Sequence, residues 1–555
     1  MLIAEKWVNL NFHSHEELME NYTINPGERF NFSFDVMDEL ARTKPEKVAM
    51  IWCDDEGEER IFTFADLKKY SNMTANFFKS CGIKKGDRVI LCLKRYYEFW
   101  WSILALHKIG AVAIPTTHLS TKKDFIYRNN AAKVKMIVAA KDEGLLNYID
   151  QAKPQSPTVE SYVFVGEDTP REGWKDFRTE VANQSEVFDR PTGEEDTKTE
   201  DPMLLYFTSG TSAQPKMVIH DFSYPLAHVS TAYFWQCVDP NGKHLTVADT
   251  GWGKTAWGKL YGQWLCETIV FVYNYSDRFK ETDLLHIIEK YKITTFCAPP
   301  TIYRFFIKAN FEEFDLSSLQ HCSIAGEPLN PEIYYKFLEL ANLKLHEGYG
   351  QTETTLVIGN DRFMEPRPGS MGKPMAGYDV DIVDENGNSC APGEEGQIVI
   401  RTGKKKPVGL FMGYYDDEER TKSVWHDGMY YTNDMAWRDE DGYFWYVGRS
   451  DDVIKSSGYR ISPFEVESAL IEHPAVLECA ITGVPDDLRG QIIKATVVLT
   501  KNYTPSDELK KELQTHVKKT TAPYKYPRMI EFVEQLPKTI SGKIRRVEIR
   551  ENDKK

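Results

Sequence analysis

The sequence predicts an α/β protein with two doubly wound α/β subdomains, a small β-barrel-like subdomain and a separate α+β domain at the C-terminus. Apolar runs that suit buried parallel strands recur at spacings that leave room for a helix between them. From about residue 370 they give way to short alternating strands and polar turns, and the segment 451–555 mixes helix and strand patterns. We therefore expect a large N-terminal domain over residues 1–450 and a small C-terminal domain over 451–555.

The large domain is expected to divide at about residues 30–190, 200–370 and 371–448. In the first part, strands are predicted at RVILCLK, AVAIP, VKMIVAA and YVFVG. A crossover helix precedes these strands, because apolar residues at helical spacing begin after Thr63, a capping residue, and end before Gly82. This part is expected to be doubly wound.

The strand pattern restarts after an acidic, turn-rich linker at residues 191–202. Strands are predicted at MLLYF, HLTVAD, TIVFVY, TTFCAP and CSIAG, which form the second α/β part. The segments DVDIVDENGN, GQIVIR and GYFWYVG indicate a small antiparallel sheet or barrel. In the C-terminal domain, FEVESALIEH indicates a helix, and ECAITGV and KATVVLT indicate strands.

Composition and charge exclude several classes of protein. Of 555 residues, 41% are hydrophobic and 27% charged, which is typical of a globular protein and not of a disordered one. The net charge of −15 excludes a general nucleic-acid binder. Between residues 516 and 550, however, nine Lys or Arg face three Glu, so this basic segment is either a solvated tail or a surface that captures a polyphosphate.

The sequence also carries predictions about compartment and cysteine chemistry. It has no apolar run long enough to span a membrane, and the first residues lack the pattern of a signal peptide, so we expect a cytoplasmic protein without a membrane span. The nine cysteines are scattered, without a CxxC pair. We expect reduced thiols in the core instead of disulfides or a zinc site.

A candidate phosphate-binding loop follows the predicted strand MLLYF. It consists of Thr208, Ser209, Gly210, Thr211, Ser212, Ala213, Gln214, Pro215 and Lys216. Hydroxyl groups, backbone N–H groups and a lysine are the donors that surround a phosphate. The segment is not a Walker A loop, because Pro215 stands where glycine is required and Met217 where Ser or Thr is required. An ordinary Ser/Thr/Gly turn is the alternative for this loop taken alone.

Other catalytic patterns are weak or absent. GWGKTA at 251–256 has the GxGxxA form of a dinucleotide fingerprint, which is poor evidence when it occurs alone. Neither GxSxG nor HExxH occurs, and no Cys or His cluster indicates a tightly held metal. These observations favour phosphate chemistry with a loosely bound cation.

Six motifs together resemble the acyl- and aryl-adenylate-forming enzymes, a superfamily that includes acyl-CoA synthetases, luciferases and peptide-synthetase adenylation domains. They are, in order, TSGTSAQPK (208–216), AGEP (325–328), EGYGQTE (347–353), YYTND (430–434), GRSDDVIKSSGYRIS (448–462) and PKTISGKIRR (537–546). Within the superfamily, DTGWGKTAWGK (249–259) and EGYGQTETT are most similar to medium-chain acyl-CoA synthetases.

The resemblance implies two half-reactions. A carboxylic acid and ATP, with Mg²⁺, give acyl-AMP and pyrophosphate, and CoA then displaces AMP to give a thioester. This division makes chemical sense, because a free carboxylate would have to expel oxide, whereas acyl-AMP carries a stable leaving group. The first step needs cations and oriented donors around the α-phosphate.

The resemblance also implies roles for individual residues. The loop from Thr208 to Lys216 would cradle the β- and γ-phosphates, Thr352 would contact the α-phosphate, and Glu353 would hold Mg²⁺. Asp434 and Arg449 would bind the ribose, Arg460 would meet phosphate in one domain arrangement, and Lys543 would bridge the carboxylate and α-phosphate. The adenine would be flanked by Gly326, Glu327, Pro328, Glu347 and Gly348. The rest of the nucleotide site would comprise Tyr349, Gly350 and Gln351.

The C-terminal domain is implied to turn about Asp451 between the half-reactions. The turn would bring Ser457, Gly458 and Tyr459 to the pantetheine of CoA, with Arg489 on a CoA phosphate. Ala213 and Asn433 stand where the superfamily usually has glycine, and we expect Asn433 to tolerate a positive φ. His118 is either close to the phosphates or an ordinary capped-loop histidine.

The acyl pocket is implied to lie at Gly350 and Trp257. Gly350 stands where acetate-specific relatives have a blocking tryptophan, so we expect room for a medium-chain, branched or aromatic acid. Trp257 would either limit chain length or act only as a packed aromatic residue.

Three alternatives stay open at this point. The acyl group could pass to a carrier protein or another acceptor, the chain could be a nicotinamide-dependent oxidoreductase that uses GWGKTA, or it could be a silent nucleotide-binding regulator. A homo-oligomer is also left open.

Overall fold

The computed structural model describes residues 1–166, 171–208, 214–275, 280–309, 311–403, 406–457, 459–486, 488–538 and 543–553. Within these residues the strands form five sheets. Two large, mostly parallel sheets build the body of the molecule, and smaller sheets follow them in sequence. This arrangement confirms the predicted fold class.

The first large sheet has eight strands, of which the central ones are parallel. In spatial order they are Gly413–Tyr414, Lys216–Asp221, Pro202–Thr208, Val112–Pro115, Arg88–Cys92, Met136–Ala140, Ser161–Val165 and Lys175–Asp176. The four strands predicted from apolar runs between residues 88 and 166 are all present. Their buried faces agree with the reasoning that a parallel strand is apolar on both sides.

The second large sheet has nine strands. In spatial order they are Lys373–Pro374, Leu356–Gly359, Leu345–Gly350, His321–Ala325, Thr295–Ala298, Lys243–Thr246, Ile269–Asn274, Val48–Asp54 and Glu59–Thr63. Antiparallel strands flank a parallel centre at both edges.

The two sheets do not divide the chain at the boundary predicted between residues 190 and 200. Val48–Asp54 pairs in parallel with Ile269–Asn274 and so belongs to the second sheet. Pro202–Thr208, which follows the acidic linker, pairs with Val112–Pro115 of the first sheet. Periodicity shows where a strand occurs but carries no information about its neighbour, so the exchange of strands was not visible in the sequence.

A smaller antiparallel sheet and the C-terminal domain complete the fold. The antiparallel sheet contains Asp379–Val383, Gly396–Arg401, Trp425–His426, Met429–Arg438 and Phe444–Arg449. The C-terminal domain has the hairpin Ile454–Ser456 with Tyr459–Ile461, and the sheet Val476–Asp486, Gly490–Leu499 and Met529–Phe532. Three helices, Pro463–Ile471, Asp507–Thr520 and Arg546–Asn552, make this domain α+β as predicted.

Helices of the large domain cover the two parallel sheets. The α-helices are His15–Asn21, Glu39–Thr43, Phe64–Ser80, Glu98–Ile109, Lys122–Ala131, Glu143–Ala152, Phe177–Ala182, Tyr224–Val229, Lys254–Gly258, Tyr261–Leu265, Glu281–Tyr291, Pro300–Phe306, Pro331–Ala341 and Glu418–Val424. The segments Phe32–Asp38 and Ser230–Trp235 are π-helical, and short 3₁₀ turns lie at Ile3–Lys6, Lys153–Gln155, Gly193–Glu195, Phe311–Glu313 and Pro523–Lys525.

One apolar core joins both large sheets. Val89 of the first sheet, Val270 of the second and most of the helix Glu98–Ile109 belong to the same cluster of buried residues. Every residue of this helix is buried. Trp100 fixes it to the second half of the domain by donating from its indole N–H to the carbonyl of Lys259 at 2.7 Å. The two sheets therefore pack on one shared core.

Other sequence predictions concern cysteines, metals and membranes. All nine cysteines are free, and only Cys81 and Cys237 are not fully buried. Helices in the described part of the chain are too short or too polar to span a lipid bilayer. Among the same residues, His, Cys, Asp and Glu form no group of three or more that could ligate a metal ion.

The helix Phe64–Ser80 offers a test of local stability. Thr63 Oγ1 accepts from the N–H of Asp66 at 3.1 Å, and Asp66 Oδ2 accepts from the N–H of Thr63 at 2.9 Å, a capping box. Thr63→Ala should lower the midpoint of thermal unfolding, because it removes a cap worth about 1 kcal/mol. Calorimetry should place Thr63→Ser, which keeps the hydroxyl, near the wild type. Equal midpoints for the Ala and Ser variants would contradict the capping role.

Candidate active site

Three of the six predicted motifs lie at the carboxyl ends of strands in the two large sheets. Strand Pro202–Thr208 ends at the phosphate-binding motif, and strand His321–Ala325 ends directly before Gly326. Strand Leu345–Gly350 leads into the segment that contains Thr352 and Glu353. Ligands of open α/β sheets bind at this edge, so the topology gathers the motifs where a ligand site is expected.

The phosphate motif is described at its two ends. Thr208 and Lys216 are neighbours in an antiparallel strand pair, and Tyr127 donates from its hydroxyl to the carbonyl of Pro215 at 3.0 Å. The predicted residues Ser209, Gly210, Thr211, Ser212 and Ala213 lie outside the described residues. Lys216 points toward Tyr414: its Nζ lies 3.3 Å from the hydroxyl oxygen and 5.1 Å from the ring centre.

Thr352 and Glu353 are held by their backbone and side chains. The carbonyl of Thr352 accepts from His220 Nε2 at 2.7 Å. Burial lowers the pKa of His220 to about 4, so the ring is neutral near pH 7 and Nε2 carries its proton toward that carbonyl. Glu353 is buried; its carbonyl accepts from the N–H of Phe411 at 2.8 Å, and its Oε1 accepts from the Tyr414 hydroxyl at 2.8 Å.

Asp434 is the centre of a dense polar network. Its Oδ2 accepts from the Tyr349 hydroxyl and from Gln351 Nε2, both at 2.6 Å. Its Oδ1 accepts from the Tyr446 hydroxyl at 3.1 Å and lies 3.9 Å from the guanidinium of Arg449. Burial opposes the positive charge of Arg449, but the carboxylates around it raise the pKa of its guanidinium. The network therefore places a fixed negative and a fixed positive group side by side.

Asn433 and Glu347 bear on two sequence predictions. Asn433 has φ +61°, so an asparagine occupies the left-handed conformation as expected. Glu347 is buried; its Oε1 accepts from the N–H of Leu329 at 3.2 Å, and its Oε2 has no hydrogen-bond partner among the described residues. Burial raises the pKa of Glu347 to about 8, so this carboxyl is mostly protonated at pH 7 and presents a polar group at the predicted adenine side.

Lys543 comes from the C-terminal domain to the large domain. Burial lowers the pKa of Lys254, and the positive charge of Lys543 lowers it further. Lys254 begins the helix Lys254–Gly258, and its Nζ donates to the carbonyl of Ala325 at 2.8 Å. The predicted C-terminal lysine is therefore near enough to Lys254 for its charge to act on that residue.

Gly350 and Trp257, the predicted acyl-pocket residues, contact each other. A Cβ on Gly350 would lie 2.4 Å from Trp257 Cη2 and 2.3 Å from the carbonyl oxygen of Thr355. The space next to Gly350 is therefore filled by the Trp257 indole and by backbone. The absence of a side chain at position 350 makes room for Trp257 and does not by itself open a cavity.

The remaining predicted residues of the C-terminal domain make contacts outside the phosphate motif. Arg460 pairs with Glu385 of the antiparallel subdomain at 2.6 Å, so the structure does not bring its guanidinium to the phosphate motif. Asp451 lies 3.5 Å from the Arg449 guanidinium. The hydroxyl of Ser457 accepts from Arg489 at 3.3 Å, and Tyr459, which is 51% exposed, stacks on Tyr524 at 4.2 Å.

Two further predicted positions are Gly458 and His118. Gly458 lies outside the described residues. His118 lies on a loop, and its Nδ1 is 3.2 Å from Asp249 Oδ2. Burial alone would raise the pKa of Asp249, but the hydrogen bonds and charges of His118, Gly251 and Arg95 together leave it below its ordinary value. His118 is thus held by a buried carboxylate, a contact that the sequence did not reveal.

Sequence reasoning missed Tyr414, Tyr446 and the role of Lys254. Tyr414 and Glu353 are 61 positions apart, and Tyr446 reaches Asp434 from the neighbouring strand. Lys254 belongs to the quoted segment DTGWGKTAWGK but received no role. Its place shortly after the predicted strand HLTVAD was the available indication, because ligands bind beyond the carboxyl ends of such strands.

Comparisons with known proteins identify the family of the chain. A family model described as "AMP-binding enzyme" matches residues 37–415, and one described as "AMP-binding enzyme C-terminal domain" matches residues 465–543. The chain belongs to the AMP-binding enzyme family. Among its relatives, human "Acyl-coenzyme A synthetase ACSM3, mitochondrial" is 42% identical over 552 residues, covering 98% of this chain and 93% of the relative. The rat ACSM5 enzyme is 42% identical over 537 residues, covering 95% and 91%.

Solved structures of AMP-binding enzymes share the whole architecture. An anthranilate CoA ligase, AuaEII, in complex with anthranoyl-AMP has a TM-score of 0.86 at 29% identity, covering 95% of this chain and 98% of the ligase. An acyl-CoA synthetase of Brucella canis has a TM-score of 0.73 at 31% identity, covering 98% and 99%. Both the large and the small domain of this chain therefore have counterparts in solved structures.

Proposed function

We propose that this chain joins a medium-chain, branched or aromatic carboxylic acid to CoA, and that the residues described above divide the work between two half-reactions. Its class is that of an AMP-forming acyl-CoA synthetase, since the family models and the acyl-CoA synthetase relatives span nearly the whole chain. ATP, CoA and the acid are its substrates. The observation that carries the division of labour is the approach of Lys543, from the small domain, to Lys254 of the large one.

In the first half-reaction, the acid carboxylate attacks the α-phosphorus of ATP and pyrophosphate leaves. Both reactants are anions, so their approach requires positive charge close to the forming bond. Lys543 supplies that charge at the end of strand His321–Ala325, and Thr352 donates from the neighbouring segment. Lys216 serves the phosphates from the far end of the phosphate motif, next to Glu353.

Glu353 fits the Mg²⁺ that accompanies ATP. Mg²⁺ prefers oxygen ligands and is commonly bound through one or two carboxylates together with substrate phosphates. Glu353 offers a carboxylate whose Oε1 is already oriented by Tyr414. Glu353 would hold the ion, whose positive charge would offset the negative charge of the phosphates, while the chain itself orients Glu353 and Lys216.

Asp434 and Arg449 are assigned to the ribose hydroxyls. The carboxylate is fixed by Tyr349, Gln351 and Tyr446, so it loses little freedom when a ligand binds. Gly326 has φ +109°, and no atom lies within 4 Å of the point where a Cβ would be, so the strand end stays open beside the adenine. Glu347 lies below this opening on the adjacent strand.

The second half-reaction is assigned to another face of the C-terminal domain. Ser457 and Arg489 already contact each other there, and the exposed Tyr459 adds an aromatic surface. In the proposed cycle this face reaches the acyl-AMP after a turn about Asp451, and Arg460 exchanges Glu385 for a phosphate. The compartment stays a prediction: the sequence favours the cytoplasm, whereas the names of the curated relatives place those proteins in the mitochondrion.

The nucleotide product tests the first half-reaction. Pyrophosphate and AMP should appear only when acid, ATP and Mg²⁺ are present, and a thioester only after CoA is added. Release of ADP would exclude adenylation, and acyl-AMP that accumulates in the presence of CoA would favour a carrier protein as acceptor.

Lys543→Ala should reduce acyl-AMP formation by roughly 3 to 4 kcal/mol of transition-state stabilisation, about 10²- to 10³-fold, because it removes the cation at the forming bond. Thioester formation from supplied acyl-AMP should persist. Lys538→Ala is the matched control, since Lys538 lies in the same motif and pairs with Glu478 at 2.8 Å. Equal loss of both half-reactions in a folded Lys543→Ala enzyme would contradict the division of labour.

Trp257→Ala should shift acid preference toward longer chains, because the indole that fills the space beside Gly350 is removed. Each methylene that then fits is worth roughly 1 to 3 kcal/mol of discrimination. The measurement is kcat/KM for acetate, butyrate, 2-methylbutyrate and octanoate. Trp437→Ala, which removes an indole stacked on Trp445 in the antiparallel subdomain, controls for general destabilisation. An unchanged acid profile would place the acyl chain elsewhere.

A further inference from the structure

Tyr414 lies between two residues of the nucleotide site and has no role in any of the six motifs. Its hydroxyl donates to Glu353 Oε1 at 2.8 Å and is 3.3 Å from Lys216 Nζ. The ammonium group also lies 5.1 Å from the centre of the Tyr414 ring. One buried phenol therefore contacts both the lysine at the end of the phosphate motif and the carboxylate assigned to Mg²⁺.

The fold holds Tyr414 in this position from three sides. The strand Gly413–Tyr414 pairs with Lys216–Asp221, the strand that begins with Lys216. The N–H of Tyr414 donates to Thr421 Oγ1 at 2.9 Å, and its ring packs on Phe411 with centroids 5.1 Å apart. The residue is only 5% exposed, so the direction of its hydroxyl is determined by packing.

Hydrogen-bond chemistry fixes the order of the contacts. A carboxylate only accepts, an ammonium only donates, and a phenol donates one proton and accepts others. The Tyr414 proton must therefore point to Glu353, and its lone pairs face Lys216. Burial raises the pKa of Tyr414, which keeps the phenol protonated, and burial lowers the pKa of Lys216 while the charge of Glu353 opposes that change.

We propose that Tyr414 is a positioning residue that keeps Lys216 and Glu353 apart and directs each of them toward the nucleotide. Without the hydroxyl, the ammonium and the carboxylate are free to pair directly, and each then offers less to its own target, the phosphates or their Mg²⁺. Groups that hydrogen-bond a metal-ligating carboxylate commonly contribute 10- to 100-fold to metal affinity or activity. This inference rests on the proposed adenylation function and adds a residue to it.

The test compares Tyr414→Phe with Tyr415→Phe. Tyr415 is the next residue, but it packs on a different apolar cluster, the one that contains Ile90 and Cys92. Tyr415→Phe therefore removes the same atom and leaves the contacts of Tyr414 with Glu353 and Lys216 in place. Calorimetric titration of ATP into each enzyme, without acid and over a range of Mg²⁺ concentrations, reports binding separately from turnover. We expect Tyr414→Phe to bind ATP with Mg²⁺ about 10- to 100-fold more weakly than wild type, and Tyr415→Phe to match wild type.

Two further readouts separate positioning from a purely structural role. Tyr414→Phe should raise the Mg²⁺ concentration for half-maximal acyl-AMP formation, yet it should leave thioester formation from supplied acyl-AMP unchanged, since that step uses neither triphosphate nor its cation. In a Glu353→Gln background, Tyr414→Phe should have little additional effect on ATP binding, because the two residues act through one contact.

The outcomes decide the proposal. Wild-type affinity and Mg²⁺ dependence in Tyr414→Phe would overturn it, as would equal loss of both half-reactions or full additivity with Glu353→Gln. Release of ADP by the wild type would instead overturn the proposed function itself, so the two failures are distinguishable.

Discussion

Convergence of cationic side chains at the carboxyl ends of two sheets is the constraint on which the site depends. Lys254 and Lys543 come from different domains; the charge of Lys543 lowers the pKa of Lys254, and the charge of Glu327 opposes this effect. The repulsion between the two lysines is therefore countered in part by a carboxylate of the large domain. The chain as a whole carries a net charge of −15, so these neighbouring lysines are opposite in sign to the overall charge of the protein. A triphosphate offsets the repulsion, so in the proposed reaction nucleotide binding and the approach of the small domain favour each other.

The carboxyl groups of Asp434, Glu353 and Glu347 differ in how fully their oxygens are hydrogen-bonded by the large domain itself. Both Asp434 oxygens are held by hydroxyl or amide donors, so this carboxylate is oriented before any ligand arrives. Glu353 is oriented through Oε1 by one phenol. Glu347, in contrast, keeps a buried oxygen without a partner among the described residues, and such a group is costly in the absence of a ligand. The least satisfied of these three carboxyl groups is therefore the one proposed to lie beside the adenine.

Local patterns in the sequence predicted local structure well and long-range pairing poorly. The capping box at Thr63, the positive φ of Asn433 and the strands after residues 88 and 295 follow from propensity and periodicity, which act over a few residues. The exchange of strands between the two sheets, the contact of Trp257 with Gly350 and the relay through Tyr414 depend on pairs that are distant in sequence. The resemblance supplied roles for motif residues, but it could not indicate that Arg460 pairs with Glu385 in this domain arrangement.

That last pair bears on how the small domain can serve both half-reactions. Arg460 and Glu385 have side chains that are 40% and 82% exposed, and exposed ion pairs are worth at most about 1 kcal/mol. Another hydrogen bond between these domains, from Asn330 Nδ2 to the carbonyl of Ser468, is long at 3.4 Å. A ligand can shift a conformational equilibrium only by its differential affinity for the two states. These two contacts are weak, but a buried hydrogen bond from Ser462 Oγ to the carbonyl of Val447 also joins the two domains. In the proposed cycle, the nucleotide favours this arrangement only by the difference in its affinity for the two domain states. In the proposed cycle, departure of pyrophosphate removes negative charge from the surroundings of Lys543, the lysine that the small domain contributes, and so removes part of that preference before the domain turns toward the thioester step.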